Sequence, residues 1–254
     1  MIWRLGRIGR GALYATFIAL CFSLSTRANS SNEPEPCTPD PPRRWFLGLG
    51  QMEVDRDNLN TELTAAGYGG FEDRHFAVSF LGYTRPRGRW ILGGSAAFSC
   101  QVVSGQSSLE ARTCSEPWTA QLGYVVVDHP TLTVFPYAGL GLMIQSLTVT
   151  RDAAVDFDDQ LRYPIGEAKF NSVIPTLSIG VHVDNLIILK VSEHRASGLA
   201  LGVRVEYEHG LSENDWMSRH RRIGAAPMVT ASSWSVSFLL GWGSQQDPGG
   251  DVIQ

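Results

Sequence analysis

The 254-residue chain has no apolar run long enough to cross a bilayer as a helix: the longest, Ala12–Leu24, is about a dozen residues, well short of the roughly 20 that about 30 Å of hydrocarbon demands. Charge is also scarce, at 18% of residues and a net −4, so the basic footprint of a nucleic-acid binder is missing. Helix signals are few, because 26 glycines and frequent Ser and Val alternation oppose helix. Cysteine is limited to Cys21, Cys37, Cys100 and Cys114, too few for a disulfide-built scaffold.

The first 28 residues stand apart. Arg4, Arg7 and Arg10, with no acid among them, precede the apolar run, and Thr26 and Ala28 follow at the spacing of a signal-peptidase site. Residues 1–28 therefore read as a secretory signal cleaved after Ala28. Leu20 before Cys21 argues against a lipoprotein signal, which needs a small residue there. Residues 29–43, with Pro34, Pro36, Pro39, Pro41 and Pro42, read as an extended periplasmic leader carrying Cys37. Export permits a disulfide between Cys100 and Cys114.

From Arg44 to Gly243 one design recurs eight times: about ten residues of period two, with large apolar side chains on one face and Gly, Ala, Ser or Thr on the other. The last run, "SSWSVSFLLGWG", sets Trp234, Val236, Phe238, Leu240 and Trp242 against small residues. The connections alternate in length: the odd ones are long and the first two even ones short. That is the pattern of an all-β, eight-stranded antiparallel up-and-down barrel, with residues 244–254 as a tail.

Two barrels fit the pattern. In a soluble one the apolar face would line a ligand cavity and the other face would meet water, but that face is Gly, Ala, Ser and Thr. In a transmembrane one the apolar face meets lipid and the small residues fill the narrow lumen. Magnitudes favour the second: Trp234 and Trp242 lie eight residues apart on one face, roughly 20 Å after allowing for tilt, close to the height of an apolar band between aromatic girdles. Trp90 and Phe98 repeat that spacing, and Trp45 and Trp118 join the set of interfacial aromatics.

On these features, the export signal, the eight runs, the alternating connections and the aromatic last strand, the chain resembles the small eight-stranded outer-membrane β-barrels of OmpA-like and OmpX-like architecture. The resemblance implies an outer-membrane location, periplasmic termini, long loops facing outward, and partners in lipid, lipopolysaccharide and the barrel-assembly machinery. That machinery would read the last strand, although here the chain continues past Trp242. The expected protein is a monomer without cofactor or bound metal.

Inward-facing charge is expected at Arg204, Glu206, Glu208, His182, His75 and Glu53, as an ion-pair network plugging the lumen or, alternatively, a gated proton or ion path. Catalysis has one weak candidate: His209 with Ser212, near Glu213 and Asp215, as a lipid hydrolase of the lipid A deacylase or phospholipase type. Asp156, Asp158, Gln160 and Glu167 approach a calcium-loop spacing, but Leu161 occupies the position that needs Gly. The basic loop bearing Arg219, Arg221 and Arg222 could pair with lipopolysaccharide phosphates. The expected function is accordingly non-enzymatic, in envelope integrity or surface interaction, with a lipid-modifying enzyme or a soluble barrel binding an apolar ligand as alternatives.

Overall fold

A computed structural model describes residues 41–105, 109–129, 131–151, 168–192, 195–212, 216–218, 221–222 and 232–246. The signal, residues 29–40 of the leader including Cys37, and the calcium-like spacing fall outside these residues, while Arg43, expected in the leader, begins the first strand.

Eight long strands form the wall: β1 Arg43–Val54, β2 Arg74–Arg87, β3 Trp90–Ser104, β4 Leu109–Tyr124, β5 Leu132–Arg151, β6 Ala168–Ser192, β7 Arg195–Gly210 and β8 Ser233–Gln246. Each pairs antiparallel with the next. β8 pairs with β1, Leu240 opposite Leu47, so the ring closes. Partner by partner, one circuit runs Arg43, Thr84, Leu92, Leu122, Ala138, Ile179, Tyr207, Trp234 and back into β1 at Glu53. The ten positions between Arg43 and Glu53 are the shear of the barrel. With eight strands it implies a tilt of roughly 40° and an interior just wide enough for side chains.

The apolar face points outward. Phe80, Leu140 and Phe238 each expose more than 60% of their surface, and Leu47, Leu122, Ile179, Val205 and Leu240 complete a belt that water would not tolerate but hydrocarbon would. The soluble-barrel alternative is excluded by the same observation. Rings bound the belt: Trp45, Trp242 and Trp90 near the end with the short turns, Trp234 and Phe98 near the end with the long loops, all about half exposed. Allowing for tilt, Trp118 stands level with the loop-end group although it sits midway along β4. Tyr124, edge-on to Trp90 at 5.3 Å, and Tyr207, 4.8 Å from Trp234, join the two girdles.

Several strands are longer than the sequence pattern indicates, and the reason is physical. Beyond the loop-end girdle β3–β6 continue, but the polarity of their faces inverts. Inside, Ala111, Met143, Leu147 and Ile174 are buried; outside stand polar residues such as Arg112 and Lys169. Water replaces lipid there, so the apolar side turns inward. Gln101 and Thr113, read in sequence as part of a loop, are thus paired residues of β3 and β4, and Cys100 lies directly opposite Cys114 in a disulfide. At the other end, the segment "DNLIILKVS", read as a connection, is the end of β6, while Gln245 and Gln246 extend β8 past its predicted end.

The first long connection is not an irregular loop. Its segment Asp57–Ala65 forms a helix, α1, in a stretch free of Gly and Pro. Leu63, with Phe71 from the following loop and Trp216 from the last, packs onto the inner faces of β4–β6. Asn60 pins the return: its amide donates to the Phe71 carbonyl (2.9 Å) and its carbonyl accepts from the Phe71 N–H (2.8 Å). Gly88, with φ of +59°, makes the tight turn between β2 and β3.

Candidate functional site

Alternation along β7 sends Arg204, Glu206 and Glu208 into the lumen. The Arg204 guanidinium grips Glu206 in a fork, Nη2 to Oε1 at 2.7 Å and Nε to Oε2 at 3.2 Å. It also reaches Ser95 Oγ across the barrel at 3.0 Å and covers the Tyr137 ring at 4.5 Å. Glu208 has no such cation: its Oε1 accepts from Thr176 Oγ1 at 3.0 Å and Thr119 Oγ1 at 3.4 Å. These β4 and β6 threonines stand beside glycines whose added Cβ would strike them: one at Gly139 would come within 2.5 Å of Thr119 Cγ2. The small residues of the pattern make room for the polar ones.

A second cluster plugs the turn end. Asp184 lies between Arg44, with which it forms an ion pair, the Tyr83 hydroxyl and His182 Nε2 at 2.9 Å. His182 is wholly buried and sandwiched by rings, Phe135 at 4.8 Å, Phe46 at 5.3 Å and Tyr83 at 5.6 Å. Neither Asp184 nor Arg44 was singled out in sequence. The signal available was an Arg and an Asp, each on the small-residue face of its strand, where an unpaired charge is expensive.

At the loop end His75 also faces inward, but it belongs to the lid. Arg56, just before α1, lies 3.4 Å from His75 Nε2 and donates to Gln101 Oε1 at 3.0 Å and to the Glu72 carbonyl at 3.1 Å. Burial pushes the Arg56 guanidinium down to about 10. Glu53 is not a lumen residue. It shares the outward face of Trp45, Leu47 and Leu49 and pairs in solvent with Arg74 at 2.7 Å, because strict alternation along β1 leaves it no inward position.

The candidate catalytic pair is rearranged. His209 faces outward, stacked on Tyr207, and its Nδ1 lies 3.2 Å from Ser232 Oγ, not Ser212, which is exposed beyond the end of β7. Register explains the exchange: β8 returns alongside β7, so the hydroxyl across the strand pair is nearer than the one downstream. No carboxylate is hydrogen-bonded to His209 among the described residues. Arg221 and Arg222 form a two-residue strand beside Met217–Ser218; Arg219, Glu213 and Asp215 lie outside the described residues.

At the turn-end rim, Arg85 holds Asp128 in a bidentate fork of 2.8 and 2.7 Å, and these hydrogen bonds set the Asp128 carboxyl below the ordinary carboxylate range. The sign follows: a depressed carboxyl adds stability that is present above its unfolded pKa and is lost as pH falls through the folded one. Acid titration of the folded barrel below about pH 4 is expected to show a component that Asp128→Asn removes, readable by tryptophan fluorescence.

No protein-family model matches the sequence, and no curated protein matches it. Among solved structures, the chain is similar to the attachment invasion locus protein Ail of Yersinia pestis (11% identity, TM-score 0.42, covering 80% of this chain and 97% of that one). It is also similar to a major outer membrane protein of Thermus thermophilus (12%, 0.40, 81% and 99%) and to the neisserial surface protein NspA (11%, 0.36, 80% and 95%). By its own strand registers and outward belt, the chain has the architecture of a small eight-stranded outer-membrane β-barrel.

Proposed function

We propose that the chain resides in an outer membrane and catalyses no reaction, presenting the head built on its loop end for envelope integrity or contact with a surface partner. The observation that supports this is the plugging of the barrel at both ends. The Arg44–Asp184–His182 cluster blocks the turn end and the α1 lid with its apolar core blocks the loop end, so the described residues leave no path for bulk transport. Meanwhile β3–β6 extend well past the girdle as a folded platform, and ordered structure outside the bilayer suits recognition by another surface. Membrane lipid, with lipopolysaccharide on the outer side, is the surrounding partner, and a single chain suffices because the ring leaves no open edge at belt height.

The experiment is cell fractionation followed by a heat-modifiability gel. The protein is expected in the outer-membrane fraction, with boiled and unboiled samples migrating differently; a soluble protein without a shift would end this reading.

The His209–Ser232 contact favours a second reading, a lipid hydrolase at the outer girdle, where the pair would meet acyl esters. Purified protein assayed for lipid A and phospholipid deacylation is expected to be inactive. Hydrolysis abolished by both His209→Ala and Ser232→Ala would reverse the preference.

A further inference from the structure

The turn between β2 and β3, "TRPRGRW", brings three arginines together at the turn end of the barrel. Arg85 is committed: its fork holds Asp128 of the neighbouring β4–β5 turn, so that pair adds no net charge. Asp128 is the one exposed acid at this end among the described residues. Arg87 and Arg89 are both exposed, and neither guanidinium has a hydrogen bond or ion pair among the described residues; Arg89 feels the Asp128 carboxylate only at longer range. Two positive charges are thus left unmatched on one short turn.

The turn is held in place. Gly88 reverses the chain at a φ of +59°, and Arg85 Nε donates to the Gly88 carbonyl while the same side chain ties this turn to the next. Arg87 lies directly opposite Trp90 in the β2–β3 register, and directly opposed residues of an antiparallel pair share a face. Trp90 faces outward in the turn-end girdle, edge-on to Tyr124. Arg87 therefore stands on the lipid side of the wall, at the depth where headgroups replace acyl chains. Arg89 is one residue beyond Trp90, past the start of β3.

From the unmatched guanidiniums, their depth and the tethered turn we infer that Arg87 and Arg89 form a binding site for the phosphate of an anionic phospholipid in the leaflet at the turn end. The inference rests on the outer-membrane reading above. Guanidinium N–H pairs match phosphate oxygens in a bidentate way that a lone ammonium does not. A zwitterionic headgroup brings a cation of its own, which two arginines repel, so the site selects a headgroup with net negative charge.

The test is thermal unfolding of the full chain in neutral detergent micelles doped with phosphatidylglycerol or phosphatidylcholine, with inorganic phosphate in a third sample, all at one ionic strength. The heat-modifiability gel and the cell fractionation accompany it; a missing gel shift or a soluble protein fails the outer-membrane reading itself. In folded protein, phosphatidylglycerol is expected to raise the midpoint saturably by several degrees over phosphatidylcholine, as a ligand of the native state does. Arg87→Gln or Arg89→Gln alone is expected to raise the half-saturating lipid fraction about fivefold, the share of one basic side chain beside charged headgroups. The double variant is expected to remove the difference, and because both side chains are exposed it leaves the packing untouched. Lys190→Gln, which removes an exposed turn-end cation from β6 on the far side of the ring, is expected to change nothing. Equal midpoints in the two lipids, an equal rise with inorganic phosphate, a rise that survives the double variant, or an equal loss in Lys190→Gln would each overturn the inference.

Discussion

Phe238→Arg is expected to destabilise the barrel in lipid vesicles by about 2–4 kcal/mol, the cost of a cation near the midplane on a lipid-facing strand. Phe238 is the residue to choose because it is the most exposed of the large apolar side chains among the described residues, at 68%, and sits midway between Trp234 and Trp242 on β8. Packing loss contributes little there, since its outward face touches no neighbour that closes over it. The same change at Trp242, at the girdle, is expected to cost about 0–1 kcal/mol, because the guanidinium can reach the interface. Guanidinium unfolding in vesicles, followed by tryptophan fluorescence, reads both. Equal and small effects at the two positions would mean that the belt is not in hydrocarbon. In a barrel surrounded by water the Phe238 substitution would be nearly neutral.

Asp184→Ala is expected to cost about 3–5 kcal/mol, the penalty for stranding one partner of a buried ion pair. The change removes the acceptor shared by Arg44, His182 and Tyr83. It leaves the Arg44 guanidinium in the lumen with no carboxylate. A double-mutant cycle separates this from a generic packing defect: in the Arg44→Met background the same Asp184 change should cost much less, since no charge is then left unpaired. Additive losses would show that the cluster is held by its rings, Phe46, Tyr83 and Phe135, and not by charge. Chemical unfolding in detergent gives all four corners of the cycle.

Much of the barrel was legible in sequence because lipid on one side and a narrow lumen on the other impose opposite demands at successive residues, and a period of two records both. The pattern places Trp45, Trp90, Trp234 and Trp242 outward and Arg204, Glu208 and His182 inward, where they stand. It became misleading wherever the environment changed. Above the girdle the apolar face turns inward at Met143, Leu147 and Ile174, so following the outward greasy stripe loses β3–β6 at the membrane boundary. Glu53 stands outward, against expectation, because it shares the face of Leu49, and its ion pair with Arg74 in solvent accommodates the charge there.

The contacts that define the candidate sites were hidden for a different reason. Tyr83 meets Asp184, Thr119 meets Glu208 and His209 meets Ser232, and each contact depends on register or on a partner across the lumen. Neither composition nor spacing along the chain encodes the shear that brings them level. The lid was likewise invisible: α1 is nine residues long, and its apolar side gains meaning only once the inverted upper strands exist to receive it.

The seam between β1 and β8 has a consequence for how the barrel comes to exist. Seven of the eight strand pairs join neighbours in sequence and can form as hairpins, whereas Leu47 must find Leu240 across nearly the whole chain. Closing so long a loop is entropically slow. Until it happens, both edges of the sheet stay unpaired and open to other strands. An assembly factor that holds the first strand until the last arrives would act on the slowest event, and the row Trp234, Phe238, Trp242 lies on the strand it would be waiting for.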